Sequence, residues 1–365
     1  MSALSFGDRP WYRLTLPGTQ CYPAFKQPAI DPLLCWPDEY QPTSEHSTAW
    51  GNSLKWDDVP LMHGSVHAEM GFQPCTVNYA FNNLFHSIPI RANASGALVY
   101  DVRGGDRGEA DFVTKKRNFM LAWKFIATYP TRTRMKSVLG IDSSTFTRLI
   151  WPTIFSMSRA VNYIDFNLRL WDYNRGELFP ERVLTSWDGF PTEVCASSNK
   201  WVSRLTKSKK YGCHVVKNDL GIALCGFIVG YSGPHLGVRN DTRMWSENHR
   251  RRRTMFRWEY AAGDKAYIGC PEFICEYKGS NLPPHQLAWN EALQFYRGRN
   301  EHLVALVKNG REAMQGKWRG SFLGLSAVTR LVIHMAALQE RMNGPRYDVF
   351  GPWPVCPNHI VAQYL

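Results

Sequence analysis

Apolar residues first recur with helical spacing shortly after residue 110. The residues that share this face are Phe119, Leu121, Ala122, Trp123, Phe125 and Ile126. They predict a helix that ends near Tyr129, because the proline that follows cannot continue the hydrogen-bond ladder. A short helix over residues 131–139, the turn Gly140-Ile141-Asp142 and a third helix capped by Ser143 or Ser144 come next. This order is typical of a helix-turn-helix, and an ordinary helical hairpin that covers a core is the alternative.

After residue 180 the apolar pattern takes the period and length of β-strands. Residues 183–187 form a β-rich run that ends at Asp188. Residues 211–217 and 221–230 predict two strands joined by a turn at Asn218-Asp219.

A fourth short strand over residues 258–263 ends at Asp264, and two long helices, residues 284–308 and about 325–341, complete the pattern. Strands followed by helices of this length predict an α/β domain.

Residues 1–100 differ from the rest, because they are rich in Pro, Trp and Tyr and show little periodicity. They predict an irregular arm that folds partly onto the remainder, followed by a glycine-rich, charged linker at residues 101–109. The predicted units are an arm (1–110), a helical, helix-turn-helix-like DNA-binding region (111–180), an α/β domain (181–345) and a tail (346–365).

Charge also separates the arm from the rest. The chain carries 43 Lys+Arg against 31 Asp+Glu, a net charge of +12. Residues 1–100 hold five basic and eight acidic side chains, so the other residues carry an excess of 15 positive charges. This excess favours a polyanionic partner, most simply nucleic acid, and a basic face kept for solubility is the alternative.

Membrane and secreted proteins fit the pattern poorly. No window approaches the roughly 18 uninterrupted apolar residues of a membrane span, and residues 323–338 are interrupted by Arg330 and His334. The first residues show no basic start followed by an apolar run, so we expect no secretory signal. The nine cysteines include no C-x-x-C pair, which indicates reduced thiols in a cytosolic or nuclear protein.

Three acidic residues stand out as candidates for catalysis. Asp188 and Asp264 each end an apolar strand, and Glu301 lies inside the helix predicted for residues 284–308. Taken singly, the aspartates read as turn residues and the glutamate as part of a solvated helix face. Carboxylates at the ends of adjacent strands project from one edge of a sheet, and a helix alongside can supply the third. Three converging carboxylates require cations, and Mg²⁺ or Mn²⁺ suits them because these ions prefer oxygen ligands.

The residues around these acids resemble the sequence blocks of PIF/Harbinger-type DDE transposases. Trp187-Asp188-Gly189 resembles the first block, and Gly263-Asp264-Lys265-Ala266-Tyr267 resembles the Asp-x-x-Tyr block after the fourth strand. Tyr296-Arg297-x-Arg299-x-Glu301-His302 resembles the helix that bears the catalytic glutamate. The further blocks that match in order, within residues 115–345, are residues 207–214, Gly233-Pro234-His235 with Asp241, Lys308, and Trp318-Arg319-Gly320.

The resemblance implies a ribonuclease-H-like mixed sheet flanked by helices, with Asp188, Asp264 and Glu301 as the metal-binding catalytic triad. It also implies Mg²⁺ or Mn²⁺ as cofactor and transfer of terminal-repeat DNA. Two features depart from the family: Phe190-Pro191 replaces the usual residues after the first aspartate, and the His–Asp block is stretched before Asp241. We therefore assign Asp241 only an accessory role. His302 is a second accessory candidate that contacts phosphate or orients Glu301, or is a surface histidine.

Basic residues on the helix-turn-helix and near the acids are candidates for DNA binding. They are Arg132, Arg134, Lys136, Arg148, Arg250, Arg251, Arg252, Arg253, Arg297, Arg299 and Lys308. The run at residues 250–253 is also compatible with a nuclear-import signal or a solvated loop.

The leading hypothesis is a nuclear DDE transposase or endonuclease that binds transposon ends and target DNA. The alternative is a domesticated, catalytically silent transposase that binds DNA or forms a complex. Harbinger-like elements often pair the transposase with a Myb-like DNA-binding protein, so the resemblance implies such a partner, and a homodimer is a further expectation.

Overall fold

The structure, a computed structural model, describes residues 71–85, 90–92, 98–100, 112–170, 183–247, 254–257 and 259–343. The predicted linker (101–109), the tail (346–365) and most of the arm lie outside these residues.

The described part of the arm contains short elements. They are α1 (Pro74–Ala80), a π-helical turn (Phe81–Phe85), and the antiparallel pair β1 (Ile90–Ala92) and β2 (Leu98–Tyr100). Phe72 is fully buried and packs edge-on against Trp123, with ring centroids 5.2 Å apart. Residues 71–85 therefore contribute side chains to the main core.

The helical region has the predicted order of helix, short helix, glycine turn and helix. Its elements are α2 (Phe112–Thr128), a 3-10 turn (Arg132–Arg134), α3 (Met135–Leu139), α4 (Ser143–Thr145), a π-helical turn (Phe146–Ile150), α5 (Trp151–Ala160) and a 3-10 turn (Phe166–Leu170). Gly140 adopts φ 72°, the left-handed conformation that a helix C-terminus requires.

The predicted cap of the third helix was wrong by one residue. Asp142, rather than Ser143 or Ser144, is the N-cap, and its Oδ1 accepts hydrogen bonds of 2.8 Å from the backbone amides of Ser144 and Thr145. A capping side chain bonds the amides two and three positions later, and the serines already lie within the helix.

The α/β domain is built on a five-stranded mixed sheet. Its elements are β3 (Val183–Glu193), α6 (Lys200–Thr206), β4 (Val215–Ala223), β5 (Ile228–Leu236), α7 (Asp241–Glu247), β6 (Tyr260–Gly263), a 3-10 turn (Lys265–Tyr267) and β7 (Phe273–Cys275). The strand order is β5-β4-β3-β6-β7, antiparallel among β3, β4 and β5 and parallel among β3, β6 and β7. This sheet, flanked by helices, is consistent with a ribonuclease-H-like fold and confirms the predicted class.

The β4–β5 hairpin exists, but its predicted turn was wrong. Asn218 and Asp219 lie inside β4 and are fully buried, and the connection follows Ala223, where Gly226 adopts φ 102°. The amide of Asn218 donates to Thr192 Oγ1 (3.3 Å), and Asp219 Oδ1 accepts from the Tyr267 hydroxyl (2.8 Å). These distant partners make the polar pair tolerable within a strand, where it otherwise favours a turn.

The strand that carries Asp188 is longer than predicted. β3 continues to Glu193, so Asp188 lies in its middle and pairs with Leu220 of β4. By contrast, β6 ends at Gly263 and Asp264 follows at once, as predicted.

The two long C-terminal helices are present as predicted. α8 spans Pro284–Lys308, the short α9 spans Glu312–Gln315, and α10 spans Phe322–Asn343, slightly longer than expected. Within the described ranges, α10 alone is long and apolar enough to cross a membrane by length and composition, which the pattern of interruptions had not suggested. However, 78% of its apolar window is buried inside the protein, where it contributes to the largest core cluster.

Candidate active site

Asp188 lies on the sheet face that α8 covers. Side chains alternate along β3, so Ser186, Asp188 and Phe190 point to the same side. The amide of Asn300 on α8 donates to Ser186 Oγ (3.1 Å), and Lys308 Nζ lies 5.5 Å from the centre of the Phe190 ring. α8 thus contacts β3 on both sides of Asp188.

Asp264 lies beside Asp188 because their strands are parallel neighbours. Ser186 pairs with Ala262, and each aspartate is two residues further along its strand. Asp264 Oδ1 accepts a hydrogen bond of 2.8 Å from the amide of Ala266, and this bond caps the 3-10 turn. The two strands are neighbours, as expected, but Asp188 lies within β3 and not at its end.

The electrostatics of Asp188 reflect this placement. Burial raises the pKa of Asp188 to about 6; the Arg297 guanidinium opposes the rise, whereas Asp264 and Asp241 add to it. Its Oδ1 accepts a hydrogen bond of 2.8 Å from the amide of Gly189. Asp188 is therefore a carboxylate whose negative charge the protein neutralises incompletely.

Asp241 approaches from the opposite face of the sheet. It begins α7, and its Oδ1 lies 3.8 Å from Lys217 Nζ and 3.3 Å from the point where a side chain at Gly189 would begin. Burial raises the pKa of Asp241, Lys217 lowers it, and Asp264 raises it. Asp241 therefore borders the aspartate pair.

Two cations partly balance these acids. The guanidinium of Arg297 on α8 forms an ion pair with Glu276, which also lies 3.5 Å from Lys265 Nζ. Burial lowers the pKa of Arg297, but Glu276, Asp188 and Asp264 together raise it above its usual value.

Lys210, in the loop before β4, is the second cation. Burial lowers its pKa, but Tyr211 and the three aspartates 241, 264 and 188 raise it above the ordinary value. Its exposed side chain is thus within electrostatic range of all three aspartates.

Glu301 lies on α8 with an exposed side chain. Residues 297, 301, 304 and 308 share one stripe of the helix, because neighbours on a helix face are three or four positions apart. Arg297 lies near both aspartates, and Lys308 Nζ donates to the carbonyl of Pro191, three residues after Asp188. On this stripe Glu301 lies between Arg297 and Lys308, which both border Asp188. His302 is also exposed.

Of the eleven candidate DNA-binding residues, Arg297 and Lys308 lie on α8 beside Asp188, where they contact Glu276 and the carbonyl of Pro191. The other nine divide into three groups. Arg132, Arg134, Lys136 and Arg148 are exposed on the helical region, as phosphate contact requires. Arg299 is buried, and its guanidinium donates to the carbonyl of Leu224 and lies over the Tyr296 ring. Its place in the core argues against the predicted phosphate contact. The run Arg250, Arg251, Arg252 and Arg253 lies outside the described residues.

Sequence reasoning missed Glu276, Lys210 and the buried Tyr267–Asp219 pair. Glu276 directly follows an apolar run that forms β7, just as Asp264 follows β6, and that position was an available signal. Lys210 lies in a basic block that the resemblance had already marked. Nothing local distinguishes Asp219, because its partner Tyr267 is 48 residues away.

The acidic side chains described above do not form a complete set of metal ligands. Over the part of the chain that the structure describes, no three His, Cys, Asp or Glu side chains form a group able to hold a metal ion. Asp188 and Asp264 nevertheless suit a hard divalent cation, because both offer oxygen donors and because burial and the neighbouring aspartates raise the pKa of Asp188, so that a bound cation would favour its ionised form.

Comparison with known families singles out the same region. Residues 187–339, less than half of the chain, match the family model described as DDE superfamily endonuclease. The match contains Asp188, Asp241, Asp264 and Glu301, and it supports transposase or endonuclease activity at the family level. No curated protein and no solved structure matches the chain.

Proposed function

We propose that this protein is a PIF/Harbinger-type DDE transposase that cuts and joins DNA at transposon ends by two-metal phosphodiester transfer. The observation that carries the proposal is the pairing of β3 with β6, which brings Asp188 and Asp264 together within a segment that matches DDE endonucleases. A phosphodiester substrate also agrees with the positive charge of the chain after residue 100.

Each residue of the site has a distinct task in this proposal. Asp188 and Asp264 would hold divalent cations such as Mg²⁺ or Mn²⁺, and Glu301 would complete the ligand set from α8. When bound, such cations would activate a water or a 3′-hydroxyl and stabilise the leaving oxygen. Arg297 is held by Glu276 next to the aspartates, so its charge reduces their mutual repulsion before metal binding. Lys210, exposed beside the same aspartates, is placed to contact a phosphate.

The exposed cations of the helical region would position the DNA. Arg132, Arg134, Lys136 and Arg148 flank the glycine turn, where a helix-turn-helix contacts the phosphate backbone. We extend the proposal to a nuclear location, a homodimer and a Myb-like partner protein, which rest on the family resemblance alone.

The second candidate function is a catalytically silent, domesticated transposase that binds DNA or forms a complex. Two observations favour it: the described residues contain no three-ligand metal group, and the side chain of Glu301 is exposed to solvent. DNA binding would persist in this case without cleavage.

A nicking assay distinguishes the two functions. The substrate is a supercoiled plasmid that carries the terminal repeats flanking the coding sequence, with Mg²⁺ or Mn²⁺ and with EDTA as the blank. We expect metal-dependent nicking by the wild type and a loss of about 100-fold or more in Asp264→Asn and Glu301→Gln. Asparagine retains the oxygen that caps the turn at Ala266, so Asp264→Asn should remain folded.

Glu291→Gln is the matched control, because Glu291 is an exposed glutamate on the same helix, ten residues before Glu301. Equal activity of Glu301→Gln and Glu291→Gln would exclude Glu301 from the triad. A wild-type protein that binds the repeats but nicks nothing with either metal would support the silent alternative.

A further inference from the structure

An exposed tryptophan lies on a strongly basic surface next to the acidic site. Trp201 on α6 is 69% exposed, an unusual state for so large an apolar side chain. Residues 200–210 contain five cations and no acid, and all five cations are exposed: Lys200, Arg204, Lys207, Lys209 and Lys210. We call Trp201 and these five cations the α6 surface.

The geometry of α6 makes Trp201 part of this basic surface. Lys200 and Arg204 are one helical turn apart, and Trp201 lies three residues before Arg204, so the three side chains share one face. Asn199 fixes the start of the helix, since its side-chain oxygen accepts from the amides of Trp201 (2.9 Å) and Val202 (3.3 Å). The ring is therefore presented from a defined helix, with positive charge on either side.

The structure also fixes α6 beside the aspartates. The amide of Val238 donates to the carbonyl of Leu205 (3.2 Å), and Val238 is three residues before Asp241. Gly237 packs so closely that a side chain there would begin only 2.3 Å from the carbonyl of Thr206. On the other side, the loop that follows α6 leads to Lys210, which lies within electrostatic range of Asp188, Asp241 and Asp264.

We propose that the α6 surface binds an unpaired nucleotide of the DNA next to the cleaved phosphate, with its base stacked on Trp201. An indole ring stacks on any base whose face is free, and neighbouring cations neutralise the adjacent phosphates. Paired bases inside a duplex stack on one another and offer no such face. The α6 surface thus prefers a strand end or an extruded nucleotide to intact duplex.

This inference rests on the proposed function, because it places the nucleotide beside the proposed cleavage site. Binding is measured in the Asp264→Asn background without divalent metal, so the result does not depend on cleavage. The probes are two labelled DNAs, a blunt duplex and the same duplex with a single-stranded 3′ extension, and fluorescence anisotropy gives both affinities.

We expect the extension to increase affinity and Trp201→Ala to weaken binding of the extended DNA by about 5- to 150-fold. Binding of the blunt duplex should change little. Trp201→Phe keeps an aromatic face and should restore most of the preference. Leu323→Ala is the control, because Leu323 is equally exposed (69%) but lies on α10 and carries no proposed contact.

Three results would overturn the inference. Equal affinity of Trp201→Ala and Leu323→Ala for the extended DNA would show that no base stacks on this ring. An equal loss for both DNAs would assign Trp201 to backbone contact in duplex. A dimer that becomes monomeric on Trp201→Ala, with unchanged binding of the extended DNA, would identify the α6 surface as a contact between two copies of the chain. If the wild type fails to nick DNA but still binds the extended DNA more tightly than the blunt duplex, the proposed catalysis is contradicted. The inference about Trp201 would still hold.

Discussion

At the scale of single residues, the ionised side chain of Asp188 lowers the stability of the folded protein, although its position suits metal binding. Its carboxylate is half-buried on the α8 face of β3, and its pKa is raised to about 6 by burial and by the neighbouring aspartates. The folded protein therefore holds a proton at Asp188 more tightly than the unfolded chain does. Stability falls as the pH rises from about 4 to above 6, and the full cost is present once Asp188 is ionised.

Asp188→Asn should remove this cost in metal-free protein. Above pH 6.5 the variant should be more stable than the wild type by about 1–3 kcal/mol, and at pH 4 the two should be alike. Urea denaturation in EDTA at both pH values measures the difference. Glu291→Gln, an exposed substitution, should change little at either pH. A constant difference across pH would mean that packing, not ionisation, separates the two proteins.

Metal binding provides a second test at the same residue. Mn²⁺ can displace the proton from Asp188, so its affinity should rise as the pH increases from 5 to 7. Isothermal titration should show this rise in the wild type and a smaller one in Asp188→Asn. A pH-independent affinity would remove Asp188 from the ligand set.

At the scale of elements, short polar contacts decide where helices begin. The third helix of the helical region starts at Asp142, whose carboxylate accepts two backbone amides and the hydroxyls of Ser144 (2.6 Å) and Thr145 (3.0 Å). These hydrogen bonds lower the pKa of Asp142, led by the bond from Ser144. The cap also sets the direction of the segment that presents Arg148.

Asp142→Ala should reduce the free energy of unfolding by about 1 kcal/mol, the usual effect of removing an N-cap. Ser143→Ala, one residue later, should have a smaller effect because Ser143 caps nothing. Chemical denaturation of both variants at neutral pH measures the contrast. If Ser143→Ala reduced the free energy of unfolding more than Asp142→Ala does, Ser143 would be the N-cap, as expected from the sequence.

At the scale of the whole molecule, positive and negative side chains are separated: exposed cations form basic surfaces, and the aspartates form a local acidic site. Exposed cations cluster on the helical region and on the α6 surface, whereas Asp188, Asp241 and Asp264 lie where the sheet meets α7 and α8. The basic surfaces attract a polyanion such as DNA, whereas the aspartates repel it until bound cations neutralise their charge. DNA binding and metal binding should therefore reinforce each other.

The logarithm of the binding constant for duplex DNA should fall linearly with the logarithm of the salt concentration, because phosphate contacts release counterions. If Arg148 contacts a phosphate, Arg148→Ala should reduce the salt slope by about 1. Lys278→Ala is the control, since Lys278 is an exposed cation outside the helical region. Anisotropy titrations at several salt concentrations provide both slopes, and equal slopes for the two variants would exclude the helical region from the interface.

The sequence alone determined the α/β class, the order of the main helices and strands that it predicted, and the bounds of α8, because period, length and turn residues are local. Tertiary structure decided the rest. Asn218 and Asp219 lie inside a buried strand, where they form hydrogen bonds to Thr192 and Tyr267, and Arg299 became a core residue through the carbonyl of Leu224. Arg297 and Glu276 joined the site through contacts between α8 and the end of β7. Whether a polar group faces water, a partner or a substrate depends on residues distant in the chain, which no local pattern contains.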